Sequence, residues 1–297
     1  MRIKSLFLSA LLMFVMGGAQ AADALLKPFV LASKGAGSAD EKIAQAKTAL
    51  TGAGFSVVGE YSPYPDAQVL IVTSDELKRN AADSEHGGYG AVQRVSITRV
   101  NDEVQVSYTN PVYMANVYRM KSDLNDVADK LAGALGKMEE FGARGMTAKQ
   151  ARRYHYMIGM EYFDEPSVLA EYDSYEEAVQ AVDAKLANNK NGMSKVYRVD
   201  IPGKSESVFG VAMKGEGDSK YRDDQFIMKE IDFHDTKSTA HLPYDVLVSG
   251  GKVYALYARF RIAINFPDLS MMGENSFMNI MKTPEAIRIA LQEAVRK

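Results

Sequence analysis

The strongest signal for ligand recognition in this chain is a tyrosine followed by two arginines, Tyr257, Arg259 and Arg261. The sequence predicts a strand from Lys252 to Ile264, in which alternate residues form one apolar face: Tyr254, Leu256, Ala258, Phe260 and Ile262. Tyr257, Arg259 and Arg261 would then share the other face. Because a guanidinium donates two parallel hydrogen bonds to a carboxylate, this pattern favours an anion receptor. The alternative is that both arginines are solvated or paired with acidic neighbours.

A second candidate for chemistry is a group of methionines in one short segment: Met271, Met272, Met278 and Met281. Thioethers bind Cu(I), so these four residues are weak candidates for a metal site. Methionine also fills gaps in protein cores, and core packing is the competing interpretation. We therefore predict no cofactor, with Cu(I) or haem as the alternatives.

Signatures of catalysis are missing from the sequence. The four histidines show no close metal-ligand spacing, and a chain without cysteine has no thiol nucleophile. The sequence contains no phosphate-binding loop and no Gly-x-Ser-x-Gly elbow. We expect a binding protein, with a carboxylate-dependent or metal-dependent enzyme as the alternative.

The charge of the chain bears on its partners. The 297 residues contain 35 basic and 38 acidic side chains, for a formal charge of −3. Nucleic acids and anionic membrane surfaces select basic proteins, so this balance argues against both as partners.

The first residues are typical of a secretory signal. A basic start at Arg2 and Lys4 precedes an apolar run from Ser5 to Met16, and Ala19-Gln20-Ala21 supplies a small-x-small cleavage site. We predict cleavage after residue 21 and a periplasmic or secreted protein, with an uncleaved signal-anchor as the alternative. No second long apolar run follows, so no transmembrane segment is expected after cleavage.

The rest of the chain is predicted to contain two similar α+β modules, at residues 22–140 and 167–297, joined by a connector at residues 141–166. Each module follows the order strand, helix, two strands, hairpin and helix. We expect a mostly antiparallel sheet in each, with helices packed on one face. Thr109-Asn110-Pro111 and Asn265-Phe266-Pro267 are taken as matching positions before the final helices. An inserted strand, Gln225 to Phe233, is predicted in the second module only.

Capping and turn residues predict where several of these helices and hairpins begin or turn. Ser38 is predicted to cap the first helix, and Asp173 the corresponding helix of the second module. Asn101-Asp102 and Gly250-Gly251 each separate two apolar runs and predict tight hairpins. The strand after Asn101-Asp102 would present a polar face made of Glu103, Gln105, Ser107 and Thr109.

The two hairpin segments resemble the DUF302 domains. The resemblance rests on residues 90–97 with 104–111, and on residues 241–248 with 251–254, where Leu242-Pro243 precedes the strand. It covers most of residues 28–136 and, more loosely, 167–297. It implies a small α+β unit with helices on one face of a mostly antiparallel sheet. The biochemical role of the family is not settled, so the resemblance assigns no catalytic residue.

These observations predict a binding function. We expect a small anionic or amphipathic ligand at the crease between the modules or on an open sheet face. The alternative is a subunit that binds another protein of the cell envelope.

Overall fold

The computed structural model describes residues 24–188 and 190–297, and the predicted signal at residues 1–21 lies outside them. The fold is α+β, as predicted, and contains two antiparallel sheets with helices. Within the described ranges, no helix is both long enough and apolar enough to cross a membrane.

The first sheet has six strands in the order β2-β3-β4-β5-β1-β6. Its last strand comes from the residues that follow the final helix of the module and pairs with β1. The elements are β1 (Phe29–Gly35), α1 (Ala39–Gly52), β2 (Ser56–Tyr61), β3 (Ala67–Thr73), α2 (Asp75–Ala82), β4 (Gln93–Val100), β5 (Glu103–Thr109), α3 (Pro111–Val117), α4 (Asn125–Leu135) and β6 (Glu139–Phe141).

The second sheet has five strands in the order β7-β11-β10-β9-β8. A short helix, α5, precedes it within the predicted connector. The elements are α5 (Ala148–Ala151), β7 (Ser167–Glu171), α6 (Tyr175–Ala187), β8 (Met193–Asp200), β9 (Glu206–Met213), α7 (Asp224–Ile231), β10 (Tyr244–Ser249), β11 (Lys252–Ala255), α8 (Ala258–Ala263) and α9 (Thr283–Val295).

The two sheets share one strand order. The path β1-β5-β4-β3-β2 in the first sheet corresponds strand by strand to β7-β11-β10-β9-β8 in the second. Each module also has a helix between its third and fourth strands, α2 in the first and α7 in the second. The modules are therefore alike in topology.

Several local predictions are confirmed. The Ser38 hydroxyl accepts a hydrogen bond from the Glu41 amide and caps α1. The hairpins β4–β5 and β10–β11 turn at Asn101-Asp102 and Gly250-Gly251. The cap of α6 is one residue later than predicted, because Ser174 rather than Asp173 accepts from the Glu177 amide.

The predicted inserted strand in the second module is wrong. Residues 224–231 form α7, capped by the Asp223 carboxylate, which accepts from the Phe226 amide at 2.7 Å. Buried Ile227, Met228 and Ile231 lie at helical spacing. Since α2 occupies the same place in the first module, α7 is not an insertion.

The second correction concerns the chain after β11. That strand ends at Ala255, and the residues predicted to extend it form α8. The pairing of Asn110 with Asn265 is also wrong. Asn110 caps α3 directly after β5, whereas the helix that directly follows β11 starts at Ala258, before Asn265.

One face of each sheet carries helices and the other points at the opposite module. Helices α1 and α4 pack on the first sheet, and α6 and α9 on the second. Each module also contributes a 3₁₀ turn to the partner sheet: Gly87–Gly90 packs on β9 and β10, and Thr239–His241 packs on β3, β4 and β5. The Gly88 amide donates to the Glu206 carboxylate at 2.7 Å across this interface.

The polar face of β5 is covered rather than open. Gln105, Ser107 and Thr109 are buried, and the turn Thr239–His241 of the second module packs on β5. The Gln105 side chain donates to the carbonyl of Asp235 at 2.8 Å and accepts from the amide of Lys237 at 2.9 Å. The sheet face at this position is therefore part of the contact between the modules.

Candidate functional site

The three residues predicted to form an anion receptor do not share a sheet face. Tyr257 lies at the start of α8 and Arg259 and Arg261 lie within it. Arg259 is partly exposed, and its Nε donates to Glu161 at 3.1 Å. Arg261 is buried and turned toward other partners. The structure thus separates the two guanidinium groups that the sequence placed side by side.

Arg261 belongs to a buried polar centre, which we define as Arg94, Tyr197, His241, Asp245 and Arg261. Its two arginines approach one carboxylate: Arg94 Nη2 lies 2.6 Å from Asp245 Oδ1, and Arg261 Nε lies 3.7 Å from Asp245 Oδ2. The Tyr197 hydroxyl donates to Asp245 Oδ1 at 2.6 Å. The centre lies between the modules, because Arg94 belongs to β4 and Asp245 to β10.

The histidine of this centre is neutral. Burial, followed by the charges of Arg261 and Arg94, lowers the pKa of His241 well below its usual value. Its Nδ1 lies 2.9 Å from Arg261 Nη1, which can only donate, so Nδ1 accepts and the ring proton is assigned to Nε2. The centre therefore holds two cations and one anion.

The buried polar centre is closed to solvent, since each of its five side chains is at most 3% exposed. Groups without access to solvent cannot meet a ligand from solution without local opening, so we assign this centre to holding the modules together. The sequence analysis did not identify Arg94 or Asp245. Their only signal was a charged residue next to a valine within a strand, Arg94 before Val95 and Asp245 before Val246.

Two further carboxyl groups are buried near the interface. Burial raises the pKa of Asp224 to about 7, although the hydrogen bonds from the Tyr61 hydroxyl and the Met213 amide oppose the shift. Burial likewise raises the pKa of Asp232 to about 7, against hydrogen bonds from the Ser238 amide at 2.9 and 3.0 Å. Both groups therefore titrate near neutral pH.

A cleft opens between the modules where β6 and the residues after it face α7 and the loop after α8. Its volume is about 530 Å³, within the usual range for small-molecule sites. The apolar part of its lining comes from both sides: Phe141, Ile231, Phe233, Phe266 and Leu269. This is the crease that the sequence analysis predicted as a ligand location.

The charged part of the lining is mainly acidic. Two basic side chains, Lys27 and Arg144, face four acidic ones: Glu139, Glu140, Asp235 and Asp268. Glu140 pairs with Lys137 at 2.8 Å and Asp268 with Arg144 at 3.5 Å. Glu139 and Asp235 are exposed and have no basic partner within the described ranges. The cleft is thus apolar with an acidic rim.

The four methionines proposed as weak Cu(I) candidates are on the surface. Met271, Met272, Met278 and Met281 are all exposed, so core packing, the competing interpretation, is wrong for them. The Tyr156 hydroxyl donates to Met271 Sδ at 2.7 Å. In the part of the chain that the structure describes, no group of three or more His, Asp or Glu side chains converges as a metal site requires.

Comparisons of the chain with protein-family models, with curated proteins and with solved structures found no match.

Proposed function

We propose that this protein is exported and binds a small amphipathic molecule in the cleft between its modules, without catalysing a reaction. The observation that carries the proposal is the combination of aromatic side chains from both modules, Phe141, Phe233 and Phe266, around one opening of about 530 Å³. A partly exposed Phe233 at such a site loses solvent contact when an apolar group enters, which favours binding.

The charges at the rim favour a cationic head group over the anionic one expected from the sequence. Glu139 and Asp235 are acidic groups with no ion pair among the described residues. A cation near Glu139 and Asp235 is attracted by both carboxylates, and it does not have to displace a basic side chain from either of them. An anion at the same position would be repelled by both carboxylates. Of the two basic lining residues, Arg144 is already engaged by Asp268, and the single charge of Lys27 is outnumbered by those of Glu139 and Asp235. The proposed ligand therefore combines an apolar body with a positive head.

The test uses two probes with the same alkyl chain and opposite charge, decyltrimethylammonium and decyl sulfate, each below its micelle concentration. Isothermal titration calorimetry measures the affinity of both for the purified protein. We expect the cationic probe to bind more tightly, with one site per chain. Equal affinities, or tighter binding of the sulfate, would overturn the proposal.

Matched variants locate the site. Phe233→Ser removes an aromatic lining group and Asp235→Asn removes a rim charge, and each is expected to weaken binding of the cationic probe by about tenfold. At exposed positions outside the cleft, Ile289→Ser likewise replaces a large apolar side chain with serine and Asp218→Asn likewise removes a carboxylate charge, and both should leave the affinity unchanged. If the cleft variants and the controls behave alike, the probe binds elsewhere and the cleft is not the site.

A further inference from the structure

A patch of large apolar side chains lies on two loops of the surface, and none of its members lines the cleft. We call it the loop patch and define it as Met157, Ile158, Met271, Met272 and Met278. Ile158 is 97% exposed and Met272 is 74% exposed. Contiguous exposed apolar groups of this size are uncommon on soluble proteins and mark interaction surfaces.

Contacts between the two loops hold the patch together. The Tyr156 hydroxyl donates to Met271 Sδ at 2.7 Å, and the Tyr156 ring lies 5.5 Å from that of Phe277. The Met278 amide donates to the carbonyl of Met271 at 3.2 Å. Tyr156 therefore joins the loop that carries Met157 and Ile158 to the segment 271–278.

Four basic side chains flank this surface. The basic cluster, Arg119, Lys149, Arg152 and Arg153, lines a shallow groove of about 940 Å³ together with His155 and Tyr162. His155 connects the groove to the loop patch, because its Nδ1 lies 2.9 Å from the carbonyl oxygen of Met157. The ring of His155 also lies 4.5 Å from that of Tyr162.

Part of the basic cluster is fixed in place. Arg152 donates to the carbonyls of Met120 at 3.0 Å and Arg119 at 3.2 Å, and Arg119 Nε donates back to the carbonyl of Arg152 at 3.0 Å. Lys149 and Arg153 are exposed and have no carboxylate partner within the described residues. They leave two uncompensated positive charges beside an apolar loop tip.

We propose that the loop patch and the basic cluster together bind the surface of an anionic lipid bilayer, with Ile158 inserted among the lipids and the basic side chains at the head groups. The basic side chains are complementary to the negative head groups of such a bilayer, and the apolar tip is complementary to its hydrocarbon interior. Tyr156 and Tyr162 lie at the boundary, where aromatic rings with a polar end are favoured. The formal charge of −3 is a sum over the whole chain, and it does not describe the local charge of this surface, where basic side chains lie together.

The charge of the surface argues against a second copy of the chain as its occupant. In a symmetric contact the same patch meets itself, so the basic clusters would face each other. Two acidic neighbours of the surface are engaged: Asp164 pairs with Arg119 at 2.7 Å, and Glu161 pairs with Arg259. Two exposed acidic neighbours have no basic partner among the described residues: Glu274, in the loop after Met272, and Glu165, which accepts from the Tyr162 amide at 2.9 Å.

The test is co-sedimentation with vesicles. One set contains phosphatidylglycerol and phosphatidylcholine, and the other contains phosphatidylcholine alone. The protein is prepared as the chain that accumulates in the producing cell, with its N-terminal residue determined by mass spectrometry. All variants share that N terminus, so residues 1–21, if retained, contribute equally. We expect binding to the anionic vesicles that falls as salt is raised.

Two variants probe the two halves of the surface. Ile158→Asp and the double variant K149E/R153E are each expected to weaken binding to anionic vesicles by about tenfold or more. Ile289→Asp on α9 makes the same apolar-to-acidic change elsewhere, and Lys214→Glu, just after β9, reverses one basic charge elsewhere. Both variants should bind as the unmodified protein does. Glu274→Gln should bind more tightly. Far-ultraviolet circular dichroism confirms that each variant is folded.

Three outcomes would overturn the proposal. The first is equal binding to neutral and anionic vesicles, and the second is binding that Ile158→Asp leaves unchanged. The third is saturable binding to soluble polyphosphate without binding to vesicles, which would assign the basic cluster to a soluble polyanion. Because the probes of the cleft are monomeric amphiphiles and Phe233→Ser leaves the loop patch intact, failure here is distinguishable from failure of the proposed cleft function.

Discussion

Arg94 in β4 and Asp245 in β10 form an ion pair between the two sheets, with 2.6 Å between Nη2 and Oδ1 and both side chains 2% exposed. Arg261 approaches the same carboxylate at 3.7 Å. One buried anion thus serves two buried cations from different elements. Burial removes the solvation of all three charged groups. Loss of the carboxylate would leave two buried cations without a counter-ion, whereas loss of one arginine would leave the carboxylate paired with the other.

This arrangement predicts unequal effects of removing its members. Arg94→Met leaves Asp245 with Arg261 and should lower the free energy of unfolding by about 3 kcal/mol, whereas Asp245→Asn leaves two arginines uncompensated and should cost about 5 kcal/mol. Urea denaturation measures both. Lys34→Met, which breaks the exposed pair Lys34–Glu103, should cost less than about 1 kcal/mol. If Arg94→Met cost more than Asp245→Asn, the shared-anion interpretation would be wrong.

The second prediction concerns pH. Asp224 and Asp232 keep their protons up to about pH 7 in the folded protein, whereas their ordinary pKa is 3.8. The folded state therefore binds more protons than the unfolded chain between these values. The free energy of unfolding should fall as pH rises through this window, by about 1.4 kcal/mol per pH unit for each group, and level off above it.

Asp224→Asn isolates one of these groups, because the amide stays neutral at every pH. The difference in unfolding free energy between this variant and the unmodified protein should change steadily between about pH 4 and 7 and stay constant outside this window. Tyr61→Phe removes a hydrogen bond to the carboxylate and should shift the upper end of the window to higher pH. Parallel curves for Asp224→Asn and the unmodified protein would contradict the assignment.

The third prediction tests the close approach of the two edge strands. A Cβ on Gly59 in β2 would lie 2.6 Å from the carbonyl oxygen of Val196 in β8, a backbone atom that cannot rotate away. Gly59→Ala should therefore lower the free energy of unfolding by about 1–3 kcal/mol. Gly133→Ala in α4, where a Cβ meets nothing within 4 Å, should instead raise it by about 0.5–1 kcal/mol. If Gly59→Ala and Gly133→Ala changed the free energy of unfolding equally, β2 and β8 would be able to move apart to make room for the Cβ.

The sequence identified the elements whose signals are local. The turns at Asn101-Asp102 and Gly250-Gly251 and the cap at Ser38 depend on neighbouring residues only, and all three are found where predicted. Helix α7 had a comparable signal, a cap at Asp223 followed by apolar residues at helical spacing, which the strand prediction overlooked. That error was avoidable from the sequence.

The error at α8 was not avoidable in the same way. Most of this helix is buried, so its apolar residues follow no single face and are compatible with either a strand or a buried helix. The partners of Arg261, namely His241 and Asp245, are 20 and 16 positions earlier in the chain, and only the fold brings them together. The cleft likewise depends on residues near 140, 233 and 266, whose proximity no local pattern encodes.

The last prediction follows from the different environments of the methionines. Met272 is 74% exposed, whereas Met213 in β9 is fully buried. Limiting hydrogen peroxide should therefore convert Met272 to the sulfoxide well before Met213, as measured by peptide mass spectrometry. Met271 should react more slowly than Met272, because its sulfur accepts the hydrogen bond from Tyr156, and Tyr156→Phe should reduce this difference. In urea all methionines should react at similar rates. The same order of reaction in folded and unfolded protein would show that sequence neighbours, and not the fold, set the reactivity.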